Sequence, residues 1–188
     1  MRVVAGTHGG RILHAPRGRN TRPTSDRVRE AVFSMLGPLE GVAVLDLFAG
    51  SGAMGIEALS RGAERAVFVD SDAAAVACIT RNLAELGLAD RARVVRADWR
   101  AALAAEQRAK RCYGLCVIDP PYTVLSGIGA TLMRALASLI PAGGRIVIEG
   151  SARQPPLDLS GLPVDQRTDR QYGTTRVTVV HCGNSDEK

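Results

Sequence analysis

The hydrophobic pattern of this chain consists of short apolar runs that alternate with longer segments of helical periodicity. The apolar runs lie near residues 42–48, 66–70, 93–97, 114–119 and 144–149. Their length and near-continuous apolar character are typical of strands buried on both faces of a parallel sheet. Helices between them would supply the crossovers, which are right-handed in nearly all known sheets. The pattern therefore predicts an α/β fold with a mostly parallel sheet flanked by helices.

The two ends of the chain depart from this alternation. Residues 164–168 and 176–180 have the spacing of a terminal β-hairpin. Near the start, residues 2–5 and 11–14 predict a small hairpin with glycines at its turn. A basic loop follows, and Thr24 or Ser25 then caps a helix that runs to about Leu36. We expect the core of the main domain to begin with this helix.

Gly37-Pro38 ends that helix and marks a predicted domain boundary. The chain is thereby divided into an N-terminal extension (1–37), a main domain (38–183) and a short polar tail (184–188).

The composition is that of a soluble globular protein. The 188 residues suffice for one α/β domain with a short extension, 46% of them are hydrophobic, and the mean hydropathy is +0.03. No apolar stretch approaches the length of a membrane span, and the N-terminus lacks the apolar core of a signal peptide. We expect a cytoplasmic monomer. The cysteines at 78, 112, 116 and 182 are scattered and no histidine lies near the closer pair, so reduced thiols and no bound metal are expected.

Positive charge is concentrated in the first 29 residues. Seven arginines oppose a single acidic residue there, which gives a net charge of +6, whereas the rest of the chain carries about −1. Such a basic segment often serves only solubility. Arginine also binds phosphate bidentately and stacks on bases, so we favour RNA contact. The predicted RNA-contacting residues are Arg2, Arg11, Arg17, Arg19, Arg22, Thr24, Arg27 and Arg29.

The first strand of the main domain runs into a glycine-rich turn. Gly50, Gly52 and Gly55 have the G-x-G-x-x-G spacing, which lets the backbone approach a ligand closely. Nicotinamide and flavin proteins share this spacing. Asp46 lies inside the strand, where its carboxylate could meet the ammonium group of a methionine moiety. That acidic residue favours S-adenosylmethionine as the ligand.

Acidic residues also follow the next two strands. Asp70 ends the second strand, at the position where such folds bind ribose hydroxyls, while Asp72 has the position of a helix N-cap. Asp98-Trp99 follows the third strand, where the carboxylate could receive an adenine amino group and the indole could lie against the ring. For Trp99 an ordinary core position is an equal alternative. The predicted cofactor-contacting residues are Asp46, Phe48, Gly50, Ser51, Gly52, Asp70, Ser71, Asp98 and Trp99.

The fourth strand ends in Asp119-Pro120-Pro121-Tyr122. The two prolines stop the strand and hold the backbone in an extended path. The Asp119 carboxylate and a main-chain carbonyl can accept the two N–H groups of an exocyclic amine while Tyr122 stacks on the base. A proline-terminated strand whose aspartate caps a turn is the simpler alternative. The predicted catalytic residues are Asp119, Pro120, Pro121 and Tyr122.

Taken together, these motifs resemble class I S-adenosylmethionine-dependent methyltransferases of the amino-methylating group, which carry an Asp/Asn-Pro-Pro-Tyr motif. A closer resemblance, to the bacterial RsmD family of small-subunit ribosomal RNA guanine-N2 methyltransferases, extends from Met1 to about Val180. It is carried by residues 1–6, 9–11, 22–33, 46–52 and 119–122. The resemblance implies a Rossmann-like, seven-stranded sheet whose last strand is antiparallel. It also implies S-adenosylmethionine as cofactor and 16S ribosomal RNA of the small subunit as substrate.

The residues themselves suit several target bases. The tetrapeptide fits adenine-N6 and cytosine-N4 as well as guanine-N2. A DNA adenine methyltransferase usually needs a target-recognition domain for which this chain has no room, and a carbon-5 pyrimidine enzyme needs a cysteine where Pro121 and Tyr122 stand. A non-catalytic RNA-binding protein that retains a cofactor pocket is the alternative from a different class. A nicotinamide oxidoreductase is the weakest alternative.

Overall fold

The computed structural model describes residues 1–16, 25–120 and 122–184, and for residues 122–126 only the backbone. Seven strands form one sheet in the order β3-β2-β1-β4-β5-β7-β6. The strands are β1 (Ala43–Leu47), β2 (Arg65–Asp70), β3 (Ala92–Arg96), β4 (Leu115–Ile118), β5 (Arg145–Ser151), β6 (Val164–Tyr172) and β7 (Thr175–Cys182). The predicted strands are therefore confirmed to within a few residues at each end.

Strand direction follows the prediction as well. The first five strands are parallel to one another, so their carboxyl ends meet at one edge of the sheet. β7 is antiparallel both to β5 and to β6, and it lies between them. Parallel neighbours need a crossover connection, which explains why a helix stands in most of the intervening segments.

In the part of the chain that the structure describes, five α-helices cover the two faces of the sheet, namely α1 (Asp26–Leu36), α2 (Ala53–Ser60), α3 (Ala73–Leu86), α4 (Trp99–Arg108) and α5 (Tyr122–Leu136). One apolar core joins the first three helices to the sheet, and a second core joins α4 and α5 to its opposite face. Side chains of Ser25, Asp72 and Asp98 accept backbone N–H groups at the starts of α1, α3 and α4. The predicted caps at Ser25 and Asp72 are thus confirmed.

The N-terminal segment is more deeply integrated than the sequence suggests. A single bridge between Arg2 and Ile12 replaces the predicted pair of short strands. Val3 and Leu13 are buried in the same core as α1 and the sheet. At Gly6 a Cβ atom would stand 1.9 Å from the Ser60 carbonyl oxygen, because the turn lies directly on α2. The expectation that the core begins only with α1 is therefore wrong.

Within the described residues, the helices are too short or too polar to cross a membrane. The same residues contain no cluster of three or more His, Cys, Asp or Glu side chains suited to a metal ion. All four cysteines are free thiols, and only Cys112 is exposed.

Candidate active site

The glycine-rich turn joins β1 to α2 at the edge where the parallel strands end. Gly50 and Gly52 have φ angles of 58° and 78°, in the left-handed region that favours glycine. Phe48 also lies in this region, with φ of 61°. For a residue with a bulky side chain this conformation costs roughly 1–3 kcal/mol, and such strain persists mainly at functional sites. The turn therefore marks this edge as a candidate binding site.

Asp46 supports this turn from beneath. The residue is only 2% exposed, and its Oδ2 accepts the Gly55 N–H at 2.9 Å. Gly55 has to be glycine here, since a Cβ atom would stand 2.3 Å from the Phe68 ring. Burial raises the pKa of Asp46 to about 8, with a further contribution from the charge of Asp70. Asp46 therefore shapes the loop, and its contact with the ammonium group of a methionine moiety stays a prediction.

Asp46 is expected to make folding less favourable as the pH rises. Its pKa is about 8 in the folded protein and 3.8 in the unfolded chain, so unfolding releases a proton between these values. Stability should therefore fall from about pH 4 to pH 8 and level off above. Asp46→Asn keeps an acceptor for Gly55 but does not titrate. We expect it to raise the free energy of unfolding at pH 8 by a few kcal/mol, on the scale of about 1.4 kcal/mol per pKa unit.

Urea unfolding of both proteins at pH 5 and pH 8 measures this difference. A wild-type chain that is equally stable at the two pH values would contradict the assignment. If Asp46→Asn also lowered the affinity for the cofactor more than tenfold, that result would support the predicted contact with the ammonium group.

Asp70 links the end of β2 to the same turn. The residue is 4% exposed, its Oδ2 accepts the Gly50 N–H, and its Oδ1 accepts the Asp72 N–H, both at 2.9 Å. Each carboxylate oxygen has two lone pairs, so the group retains acceptor capacity toward a ligand. Ser71 is exposed beside it. The structure therefore brings Asp70, Ser71 and the glycine-rich turn together, as the sequence predicts.

Asp98 stands at the strand end that the sequence predicts, and its contact with adenine stays a prediction, whereas Trp99 is buried. Asp98 is exposed at the end of β3, and its Oδ1 accepts the Arg100 N–H at 2.9 Å as the cap of α4. Trp99 is 5% exposed and belongs to the core beneath α4. The Arg100 guanidinium lies over the indole, 4.4 Å from the ring centre. Core residues and Arg100 surround the indole. Trp99 is therefore a core residue, and its predicted contact with the adenine ring is wrong.

The predicted catalytic tetrapeptide follows β4 beside the glycine-rich turn. Leu47 and Ile118 are paired across the two parallel strands, so Phe48 and Asp119 are the next residues on adjacent strands, whose usual spacing is about 4.8 Å. Asp119 is half-buried and Pro120 is buried. Pro121 lies outside the described residues, and Tyr122 begins α5. The sheet thus places Asp119 and the glycine-rich turn at one site.

The predicted RNA-contacting residues fall into three groups. Arg2, Arg11 and Arg27 are exposed, and Arg2 pairs with Asp26 at 3.1 Å. Arg29 is fully buried and donates to Asp26 at 2.8 Å and to the main chain of Arg2, so its assignment to RNA is wrong. The remaining members lie outside the described residues: Arg17, Arg19, Arg22 and Thr24.

The buried Asn82 side chain makes hydrogen bonds to both the N-terminal segment and the glycine-rich turn. Its Oδ1 accepts the His14 N–H at 2.9 Å, and its Nδ2 donates to the carbonyl oxygens of His14 (3.1 Å) and Ser51 (3.0 Å). The residue is 1% exposed. The sequence reasoning missed it. An asparagine in the apolar stripe of α3 formed by Ile79, Leu83 and Leu86 was the available signal.

Glu57 is a second buried group that the sequence reasoning missed. It is fully buried on α2 and accepts the N–H groups of Val4 (2.6 Å) and Ala5 (3.0 Å). Arg61 Nε donates to it at 2.7 Å, and Arg29 Nε stands 3.7 Å away. Two arginines and two main-chain N–H groups therefore surround this carboxylate, which holds the N-terminal segment on the helix that follows the glycine-rich turn.

The sequence matches one family model and several known proteins. A family model described as "Conserved hypothetical protein 95" matches residues 1–181. The chain is 47% identical over 123 residues to "Putative rRNA methyltransferase YlbH" of Bacillus subtilis, an alignment that covers 65% of this chain and 67% of that protein. It is 40% identical over 123 residues to "Ribosomal RNA small subunit methyltransferase D" of Escherichia coli strain K12, covering 65% of this chain and 60% of that protein.

A solved structure extends the similarity to the whole fold. "Putative methyltransferase yhhF" from Escherichia coli superposes with a TM-score of 0.81 at 29% sequence identity. The superposition covers 98% of this chain and 99% of that one. The N-terminal segment, the glycine-rich turn and the terminal hairpin thus lie within the range that matches.

Proposed function

The chain belongs to the protein family described as conserved hypothetical protein 95, and on that premise we propose that it methylates the N2 amino group of a guanine in small-subunit ribosomal RNA, with S-adenosylmethionine as donor. The family match and the two relatives confirm the resemblance to RsmD-type methyltransferases. The fold class predicted from the sequence, that of the class I methyltransferases, is likewise confirmed.

One observation carries the proposal: the glycine-rich turn, Asp70 and Asp119 lie together at the carboxyl edge of the parallel strands. Ligands of open α/β sheets bind at this edge. Gly50 and Gly52 allow the turn to approach the cofactor, and Asp70, already bonded to Gly50, is the acceptor proposed for its ribose hydroxyls. When bound, the cofactor supplies an electrophilic methyl group. Asp46 shapes the turn from beneath and is the carboxylate proposed to meet the ammonium group of the methionine moiety.

The residues proposed to carry out methyl transfer are those of the tetrapeptide after β4. The lone pair of a nucleobase amino group is delocalised into the ring, so the nitrogen is a poor nucleophile. Hydrogen bonds from its two N–H groups to the Asp119 carboxylate and the Pro120 carbonyl localise that lone pair toward the methyl group, while Tyr122 is assigned to stacking. The nitrogen would gain the methyl group as the bond from that carbon to the donor's sulfonium sulfur breaks, which leaves a neutral thioether, and the nitrogen would then release one proton, to Asp119 or to water. Alignment and preorganised charge supply most of the acceleration.

The basic N-terminal segment is the proposed contact for RNA. Arg2, Arg11 and Arg27 are exposed, and phosphate contacts by arginine dominate the affinity of most nucleic-acid complexes. The target base has to leave its stack in order to reach a site at the edge of the sheet.

Asp70→Ala is expected to weaken cofactor binding. A hydrogen bond to a charged group contributes roughly 1.5–3 kcal/mol, so affinity should fall about tenfold to a hundredfold. Calorimetry with S-adenosylmethionine measures the change. Asp72→Ala is the matched control, because it removes a carboxylate two residues away that caps α3. Equal affinities for both variants would remove Asp70 from the cofactor site.

Labelled S-adenosylmethionine and small ribosomal subunits that lack methylation test the function itself. The protein is incubated with both, and the labelled nucleoside is identified after digestion. N2-methylguanosine is the expected product. N6-methyladenosine or N4-methylcytosine would instead establish a different target base, and binding to the particles without transfer would favour the non-catalytic alternative.

A further inference from the structure

A cavity of about 370 Å³ lies beside the proposed catalytic site without belonging to it. Its walls come from Gly129 and Ala130 of α5, from the end of β5 at Gly150, and from the loop after β5. Arg176 and Thr178 of β7 form part of its floor. Volumes of roughly 300–1,000 Å³ are typical of pockets that bind small organic groups. The cavity is therefore large enough to hold one.

The position of the cavity relates it to the catalytic tetrapeptide. Ile118 of β4 and Ile148 of β5 are paired, so Gly150 lies on the neighbouring strand, one residue beyond the level of Asp119. Along α5, Gly129 is seven residues, or about 10 Å, from Tyr122. If a target nucleotide were bound at the tetrapeptide, the adjacent nucleotide of the same RNA strand would therefore be within reach of the cavity.

Two glycines line the cavity without adding side chains to it. A Cβ atom at Gly129 would stand 2.4 Å from Leu157 Cδ1, so glycine is what allows the loop to close over α5 at this point. Gly150 pairs with Arg176 across β5 and β7 and adds no side chain to the floor between them.

The lining offers groups of the kind that recognise a nucleotide. The guanidinium of Arg176 donates to the carbonyl oxygens of Gln154 (2.8 Å) and Ala152 (3.3 Å), which uses two of its five N–H donors. Asp158 accepts the N–H and the hydroxyl of Ser160, both at 2.8 Å, and these bonds lower the pKa of Asp158 and keep it an ionised acceptor. Pro155, Pro156 and Leu157 supply apolar surface.

We propose that this cavity binds the RNA nucleotide next to the target base. Its phosphate would lie toward Arg176, its ring against the apolar loop, and an amino group on its edge would donate to Asp158. The inference rests on the proposed function, because it takes RNA to be the substrate.

Titration of the full-length protein with the four nucleoside 5′-monophosphates tests the cavity without relying on catalysis. At least one of them should shift the amide resonances of Gly129, Gly150 and Ser151. Ala130→Leu fills the cavity from α5 and should abolish these shifts. Thr131→Leu, an exposed neighbour on the same helix, should keep them. The proposal would be overturned by any of three results: no resonance shifts, the shifts are confined to the glycine-rich turn, or the shifts persist in Ala130→Leu.

Methylation kinetics on unmethylated small subunits then test whether the occupant is RNA. Ala130→Leu should raise KM for the particles about tenfold, as expected for the loss of one stacked base, with kcat and cofactor affinity unchanged. A variant that no longer binds mononucleotides but has the KM of the wild type would overturn the assignment to RNA. If the wild type itself transfers no methyl group, the proposed function fails, while the titration still decides whether the cavity is a nucleotide site.

Discussion

The Asp119→Ala variant is expected to lose about 10²–10³-fold in methyl transfer, the usual effect of removing one preorganised group from a reacting centre. Its affinity for S-adenosylmethionine should stay close to that of the wild type, because Asp119 is assigned to the target amino group and Asp70 to the cofactor. Single-turnover transfer to unmethylated small subunits measures the first quantity, and calorimetry with the cofactor measures the second.

Asp119→Asn is the matched control for this experiment. The amide keeps an acceptor oxygen at the same place, and the amino-methylating group that this chain resembles carries either Asp or Asn before the two prolines. Transfer by Asp119→Asn should therefore be reduced far less than by Asp119→Ala. If Asp119→Ala lowered cofactor affinity as strongly as turnover, Asp119 would belong to the cofactor site.

The Glu57→Ala variant is expected to lose roughly 3–5 kcal/mol of stability, the usual cost of breaking a buried ion pair from one side. The substitution would remove the carboxylate partner of Arg61, which is largely buried, and one of the two carboxylates beside the fully buried Arg29, which also pairs with Asp26. The N–H groups of Val4 and Ala5 would lose their acceptor as well. Urea unfolding followed by the fluorescence of the single tryptophan, Trp99, measures the change.

Glu64→Ala provides the comparison for Glu57→Ala. Glu64 pairs with Arg65 at 2.9 Å, but both side chains are more than half exposed, and exposed pairs contribute about 0–1 kcal/mol. The two variants should therefore differ by several kcal/mol. Similar urea midpoints for both would show that the N-terminal segment does not depend on the Glu57 carboxylate.

The sequence predicts the elements well because their signals are local. Apolar runs placed the five parallel strands, and the cap at Ser25 and the stop at Gly37 bounded α1. The edge of the sheet that carries the site follows from strand direction alone, since parallel strands end together. This is why the sequence alone predicts Asp70 and the glycine-rich turn at one site, where the Gly50 N–H donates to Asp70.

Side-chain partners are less accessible to such reasoning because they depend on tertiary packing. Arg29 was counted among the RNA contacts for its charge, yet it shares the helical spacing of Val32, Phe33 and Leu36, which are all buried. A charged residue within a buried stripe needs a partner of opposite charge. For Arg29 one such partner is Glu57, and nothing in the sequence around Glu57 indicates that the two residues meet. The position of Trp99 also depends on tertiary packing. A side chain at the start of α4 can face either the ligand or the core, and the local sequence is the same in both cases.

The position of β7 in the sheet has a consequence for how the chain folds during synthesis. β7 is made after β5 and β6, yet it lies between them in the sheet. Until residues 175–182 leave the ribosome, β6 has no partner, and β5 presents an unpaired edge that includes Ile146 and Ile148. Exposed apolar edges of this kind recruit other strands. A chain arrested before Thr175 should therefore aggregate, and synthesis of the eight residues of β7 is the step that pairs both edges and prevents this aggregation.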